Sequence, residues 1–66
     1  MTIQKQISEH IAFLKGELAF VEFGLVIQTN PKNKKRLTEE ADELKSLIAR
    51  LEKLLEVRKI IDKARG

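Results

Sequence analysis

The sequence predicts an all-α fold: an antiparallel hairpin of two helices that self-associates into a four-helix bundle or a larger helical oligomer. Three observations lead to this prediction. Apolar residues recur at steps of three and four along both halves of the chain, which is the spacing of an amphipathic helix. A single proline, Pro31, separates the two halves. The first half also carries a second apolar stripe, which one neighbouring helix cannot cover.

The first helix is predicted to span about residues 2–29. Its apolar seam runs through Ile3, Ile7, Ile11, Leu14, Leu18, Val21 and Leu25. Pro31 has no amide hydrogen and pushes the residue before it out of the α region, so we expect the helix to end near Thr29 or Asn30.

The turn is predicted at about residues 30–32 and the second helix at about residues 32–64, within a single domain covering residues 1–66. Asn30 is the expected N-cap, and Pro31 suits the first helical position. The apolar stripe of the second helix comprises Leu37, Ala41, Leu44, Leu47, Ile48, Leu51, Leu54 and Leu55. Folding about the turn would pair Leu25 with Leu37, Leu18 with Leu44, Ile11 with Leu51, and Ile7 with Leu55.

The second stripe of the first helix lies about 160° away from the seam at 100° per residue. We predict that it is an oligomer interface made by Ala12, Phe13, Gly16, Ala19, Phe20, Phe23 and Ile27. A monomer would leave its large side chains and the nearby Val26 in water. That forfeits on the order of 8 to 15 kcal/mol, as much as the whole stability of a small domain. The simplest arrangement that covers this stripe is a dimer forming a four-helix bundle.

The composition also favours association. A chain of 66 residues hides only about 60% of the surface that its unfolded form exposes. Small proteins compensate with disulfides, a metal ion or oligomerisation. The chain has no cysteine and one histidine, His10, so oligomerisation is the remaining route. A coiled-coil type of helix packing is therefore expected.

The sequence has no pattern that indicates catalysis. It contains no glycine-rich phosphate loop, no metal-ligand spacing and no nucleophile paired with a base. We therefore expect a protein that is not an enzyme and that needs no cofactor and no metal ion. Gly16 and Gly24 each cost about 1 kcal/mol in a helix interior relative to alanine, so close packing is the preferred explanation for both.

The net charge is +3, and its positive part is concentrated at the two ends of the predicted hairpin. Candidate contacts for an anion or a nucleic acid are Lys32, Lys34, Lys35 and Arg36 at the turn, and Arg58, Lys59, Lys63 and Arg65 near the C-terminus. Clusters of this kind neutralise phosphates, but they also serve as solvated ends that promote solubility. Glu39 to Glu43 follow the turn closely and would screen its charge.

Excess apolar helical surface without attached chemistry is typical of an interaction protein. We expect a self-associating bundle that acts by binding another protein, as small regulatory adaptors and inhibitors do, including those encoded by phages and mobile elements. An alternative is a nucleic-acid-binding dimer. The short hairpin and the stretch from Ala41 to Leu44 resemble the Rop family of plasmid RNA-binding regulators, and this four-residue likeness carries over no site residues. A further alternative is sequestration of a small anionic ligand, such as a nucleotide, between subunits.

The expected location is the cytoplasm. Met1 to Ser8 lack the basic start and the apolar run of a signal peptide. The most apolar stretch, Ile11 to Ile27, carries Lys15, Glu17 and Glu22. Charged residues are costly in hydrocarbon, so a membrane span is not expected.

Overall fold

The computed structural model describes residues 2–66. It contains two α-helices, α1 (Ile3–Ile27) and α2 (Pro31–Arg65), which pack against each other. Three residues, 28–30, join them. The part of the chain that is described has no strand. The all-helical class and the two helices are thus confirmed, and the molecule measures 53 × 17 × 12 Å.

The two ends of α1 have different caps. At its start, the N–H of Lys5 donates to the hydroxyl of Thr2 at 3.2 Å, which satisfies one of the free amides of the first turn. At its end, Gln28 is already extended, with φ −77° and ψ 131°, while its N–H still donates to the carbonyl oxygen of Gly24 at 2.9 Å. The helix therefore stops at Ile27, two residues before the predicted end at Thr29.

The start of α2 follows the sequence prediction. Asn30 is the N-cap, with φ −79° and ψ 121°, and its side-chain oxygen accepts from the N–H of Lys32 at 2.9 Å. Pro31 occupies the first helical position, where its missing amide hydrogen costs nothing. At the other end, Lys63 and Arg65 lie in the last turn and complement the negative end of the helix dipole.

The core lies along the contact between the two helices and is thin. Its buried residues are Ile11, Leu14 and Val21 of α1 and Ala41 and Ile48 of α2. Five half-buried side chains pack around Ile11, Leu14 and Ile48. They are those of Ile7, Leu18, Leu44, Leu51 and Leu55. The two predicted seams therefore meet along most of their length.

Three members of the predicted seams are exposed: Leu47 is 40% exposed, Leu54 51% and Ile3 48%. Leu47 and Leu54 were expected in the core stripe. At 100° per residue, however, they lie roughly 120° around α2 from Ala41 and Ile48. One neighbouring helix cannot cover a stripe of that width, so this edge of α2 faces solvent.

Polar contacts along the hairpin establish its antiparallel direction. The amide of Gln4 donates to Asp62 Oδ2 at 2.7 Å across the open end. Nearer the middle, Lys15 Nζ lies 3.3 Å from Glu52 Oε2. Ion pairs as exposed as this one contribute little stability, because water and salt screen them. The apolar seam therefore supplies most of the attraction between the helices.

Neither helix has a stretch, within residues 2–66, that combines the length and the apolar character needed to cross a bilayer.

Candidate functional site

The predicted oligomer interface forms one continuous exposed surface on α1, on the side that points away from α2. We call it the phenylalanine face and define it as Ala12, Phe13, Gly16, Ala19, Phe20, Phe23 and Ile27, all of which are exposed. Phe20 lies at the centre of the phenylalanine face and is 78% exposed. Val26 borders the face and is 82% exposed. The structure therefore brings all seven predicted residues together on a surface that the chain itself leaves uncovered.

Gly16 and Gly24 occupy different environments. A methyl group added to Gly24 would meet Leu37 Cδ1 at 3.5 Å, which is ordinary van der Waals contact with α2. A methyl group added to Gly16 would meet nothing within 4 Å. Gly16 instead forms the floor of a shallow groove, which Ala12, Phe13, Glu17 and Phe20 complete. No neighbour among residues 2–66 accounts for the glycine at position 16.

One margin of the phenylalanine face is polar. The ring of His10 stacks on the ring of Phe13, with centroids 6.5 Å apart and planes 14° from parallel. Glu17 follows two helical turns after His10, and both side chains are exposed. This margin is where a partner covering the phenylalanine face would meet solvent, as at the polar rim of protein interfaces.

A second apolar surface lies on α2, and it is not among the predicted site residues. We call it the α2 strip and define it as Leu47, Leu54, Val57 and Ile61, which are 40 to 51% exposed. The seven-residue spacing of Leu47, Leu54 and Ile61 was the signal that could have revealed it, because this spacing keeps residues on one helix face. Beside Leu47, a shallow groove with Val21 and Leu44 at its floor is bordered by carboxylates, those of Glu17, Glu40 and Glu43.

The candidate anion contacts do not converge in one chain. Lys32, Lys34, Lys35 and Arg36 are exposed at the turn, whereas Arg58, Lys59, Lys63 and Arg65 lie toward the other end of a molecule 53 Å long. At 100° per residue, Lys32, Lys35 and Arg36 lie within an arc of about 100° on α2, and Lys34 lies on the other side of the helix. The eight candidate residues therefore form two separate basic ends within one chain.

Arg58 is only half-buried at the open end and is held by its own helix. Its Nε lies 3.2 Å from Asp62 Oδ1, while the other carboxylate oxygen of Asp62 accepts from Gln4. Arg58 therefore pairs with the carboxylate that Gln4 contacts across the open end, and its guanidinium is partly neutralised. Arg58 is among the predicted anion contacts, and the sequence pattern does not reveal this cluster, because Gln4 and Asp62 are 58 positions apart.

Within the described chain, no three His, Cys, Asp or Glu side chains are arranged to hold a metal ion. Comparisons with protein-family models, with curated proteins and with solved structures give no match to this chain. Any proposal about function must therefore come from the exposed surfaces themselves.

Proposed function

We propose that this chain is a non-enzymatic helical interaction protein. It self-associates through the phenylalanine face, and it acts by binding another protein through the apolar surface that association leaves free. The observation that carries the proposal is the exposure of Phe13, Phe20 and Phe23 at 62, 78 and 63% on one side of a single helix. Contiguous exposed apolar surface of this kind marks interaction sites in proteins.

The amount of exposed surface supports the same proposal. The isolated chain exposes 5382 Å², whereas a compact monomer of 7.6 kDa would expose about 4,300 Å². The excess, roughly 1,100 Å², is comparable to the 800 Å² that each partner buries in a standard protein interface. The radius of gyration, 15.5 Å, likewise exceeds the 11 Å or so expected of a compact domain of this length.

The first prediction concerns the centre of the phenylalanine face. We expect Phe20→Asp to weaken self-association more than tenfold, because a central aromatic residue typically contributes about 2 kcal/mol or more to an interface and a buried carboxylate would be unpaired. Sedimentation velocity at micromolar concentrations measures the change. The matched control is Ile60→Asp, which places the same charge on a residue that is 67% exposed on α2 and outside the phenylalanine face.

Ile60→Asp should leave the association unchanged. The proposal fails if the wild-type chain sediments as a monomer at these concentrations. It also fails if the two aspartate variants weaken association equally, because that would indicate a general effect of added charge.

The second prediction uses the two glycines as a matched pair. Each alanine substitution should stabilise the monomeric helix by about 1 kcal/mol, because neither added methyl group clashes within the chain. Gly24→Ala should therefore raise the melting temperature without altering association. Gly16→Ala should weaken association by about 1 to 3 kcal/mol, because a methyl group would overfill a closely packed groove. Circular dichroism melts and sedimentation equilibrium measure the two effects. Equal association of both variants and the wild type would contradict close packing at Gly16.

Binding of a second protein is assigned to the α2 strip. This strip lies on the other helix and remains exposed when the phenylalanine face is covered. The carboxylates of Glu17, Glu40 and Glu43 flank its Leu47 end, so a matching partner would present apolar side chains next to basic ones. Apolar anchors at seven-residue spacing on a helix are a common way to bind an amphipathic partner helix.

The third prediction tests this assignment by affinity capture from lysate with three baits: the wild type, Leu54→Asp and Ala49→Asp. Ala49 is exposed and lies about 140° around α2 from Leu54. We expect a protein that binds the wild type and Ala49→Asp but is lost with Leu54→Asp, since Leu54 lies in the middle of the α2 strip. Quantitative mass spectrometry measures recovery, and circular dichroism checks that each bait is helical. Identical recovery with all three baits would rule out the α2 strip as the binding surface.

A further inference from the structure

We propose that the phenylalanine face is occupied by a second copy of this chain that runs antiparallel to the first, with the two-fold axis passing beside Phe20. The inference rests on the proposed function and adds the identity and direction of the occupant. Three features of the chain carry it: the order of large and small residues along the face, the charges at its two ends, and the area available.

The order of residues along the face is nearly symmetric about Phe20. Phe13 and Ile27 each lie seven residues from it, Gly16 lies four before it and Phe23 three after it. Two antiparallel copies centred there place Phe20 against Phe20 and Phe13 against Ile27. They also bring Phe23 of each copy beside Gly16 of the other. The open groove at Gly16, where an added methyl group would meet nothing within 4 Å, is then filled by a phenylalanine ring.

A parallel pair in register lacks this complementarity. Identical residues face each other in that arrangement, so Gly16 meets Gly16 between two layers of paired phenylalanines. The large rings on either side would hold the helices apart, and the glycine layer would remain a void. Unfilled space inside an apolar contact is destabilising, because the atoms around it lose their van der Waals partners.

The charges favour the same direction. Glu9 continues the phenylalanine face, four residues before Phe13, and is exposed. In the antiparallel pair it lies about 6 Å beyond Ile27 of the second copy, at 1.5 Å per residue, and so near the turn that precedes exposed Lys32 and Lys34. A parallel pair instead places the two basic turns side by side, where like charges repel. The antiparallel pair therefore places Glu9 near a basic turn at both ends of the contact.

The exposed area of the whole chain is large enough to supply a stable pair. One copy exposes roughly 1,100 Å² more than a compact monomer of its size, and a standard interface takes about 800 Å² from each partner. An isologous contact uses the same surface of both copies, so each copy covers the phenylalanine face of the other and neither face remains exposed. The contact is closed and does not propagate into a filament.

Cysteine cross-linking tests the direction, and the chain suits it because it contains no native cysteine. The variants are Phe13→Cys, Ile27→Cys, Phe20→Cys and, as a control outside the face, Ile60→Cys. Each variant is first treated by itself with a short bismaleimide. An equal mixture of Phe13→Cys and Ile27→Cys is then treated with the same reagent. Mass spectrometry resolves the heterodimer, because the two variants differ in mass. Sedimentation under reducing conditions checks that each variant still associates.

We expect Phe20→Cys to cross-link with itself, Ile60→Cys not to, and Phe13→Cys to cross-link with Ile27→Cys but not with itself. Self-linking of Phe13→Cys and of Ile27→Cys would establish a parallel pair, which overturns the inference while the proposed self-association stands. An associated chain with no cross-link at any position on the face would overturn both the inference and the assignment of this surface. A monomeric wild-type chain would overturn the proposed function as well.

Discussion

A helix with two apolar faces and only one neighbour is the constraint on which the structure depends. The seam through Ile11, Leu14 and Val21 is buried against α2, whereas Phe13 and Phe20 lie on the opposite side of the same helix and remain in water. A hairpin cannot cover both sides of one of its own helices. The proposed self-association follows from this constraint, because only a surface from outside the chain could cover that side, and the thin core makes the added burial energetically important.

Much of the fold was predictable because local rules and the apolar spacing agree. The steps of three and four residues predicted both helices, and Asn30 with Pro31 predicted the cap of the second one, which the hydrogen bond to the N–H of Lys32 confirms. The exposure of Phe20 was also predictable, because a residue about 160° from the buried seam cannot face the same neighbour. These conclusions need only helical geometry and the count of available neighbours.

Other features depend on three-dimensional detail that spacing does not contain. Leu47 and Leu54 belong to the apolar stripe of α2 by sequence, yet they are exposed because one neighbouring helix is too narrow to cover that stripe. The contact between Gln4 and Asp62 depends on the exact register of the hairpin and on where α1 ends. The different environments of Gly16 and Gly24 emerge only when the neighbours of each glycine are placed.

The most direct test of the account is an isotope-filtered nuclear Overhauser experiment on an equal mixture of ¹³C-labelled and unlabelled chains. Such spectra contain only contacts between different copies, and a chain of 7.6 kDa is small enough to resolve them. The account predicts contacts from the rings of Phe13, Phe20 and Phe23 to protons of another copy. Intermolecular contacts that avoid these rings, or none at millimolar concentration, would contradict the claim that another copy covers this face.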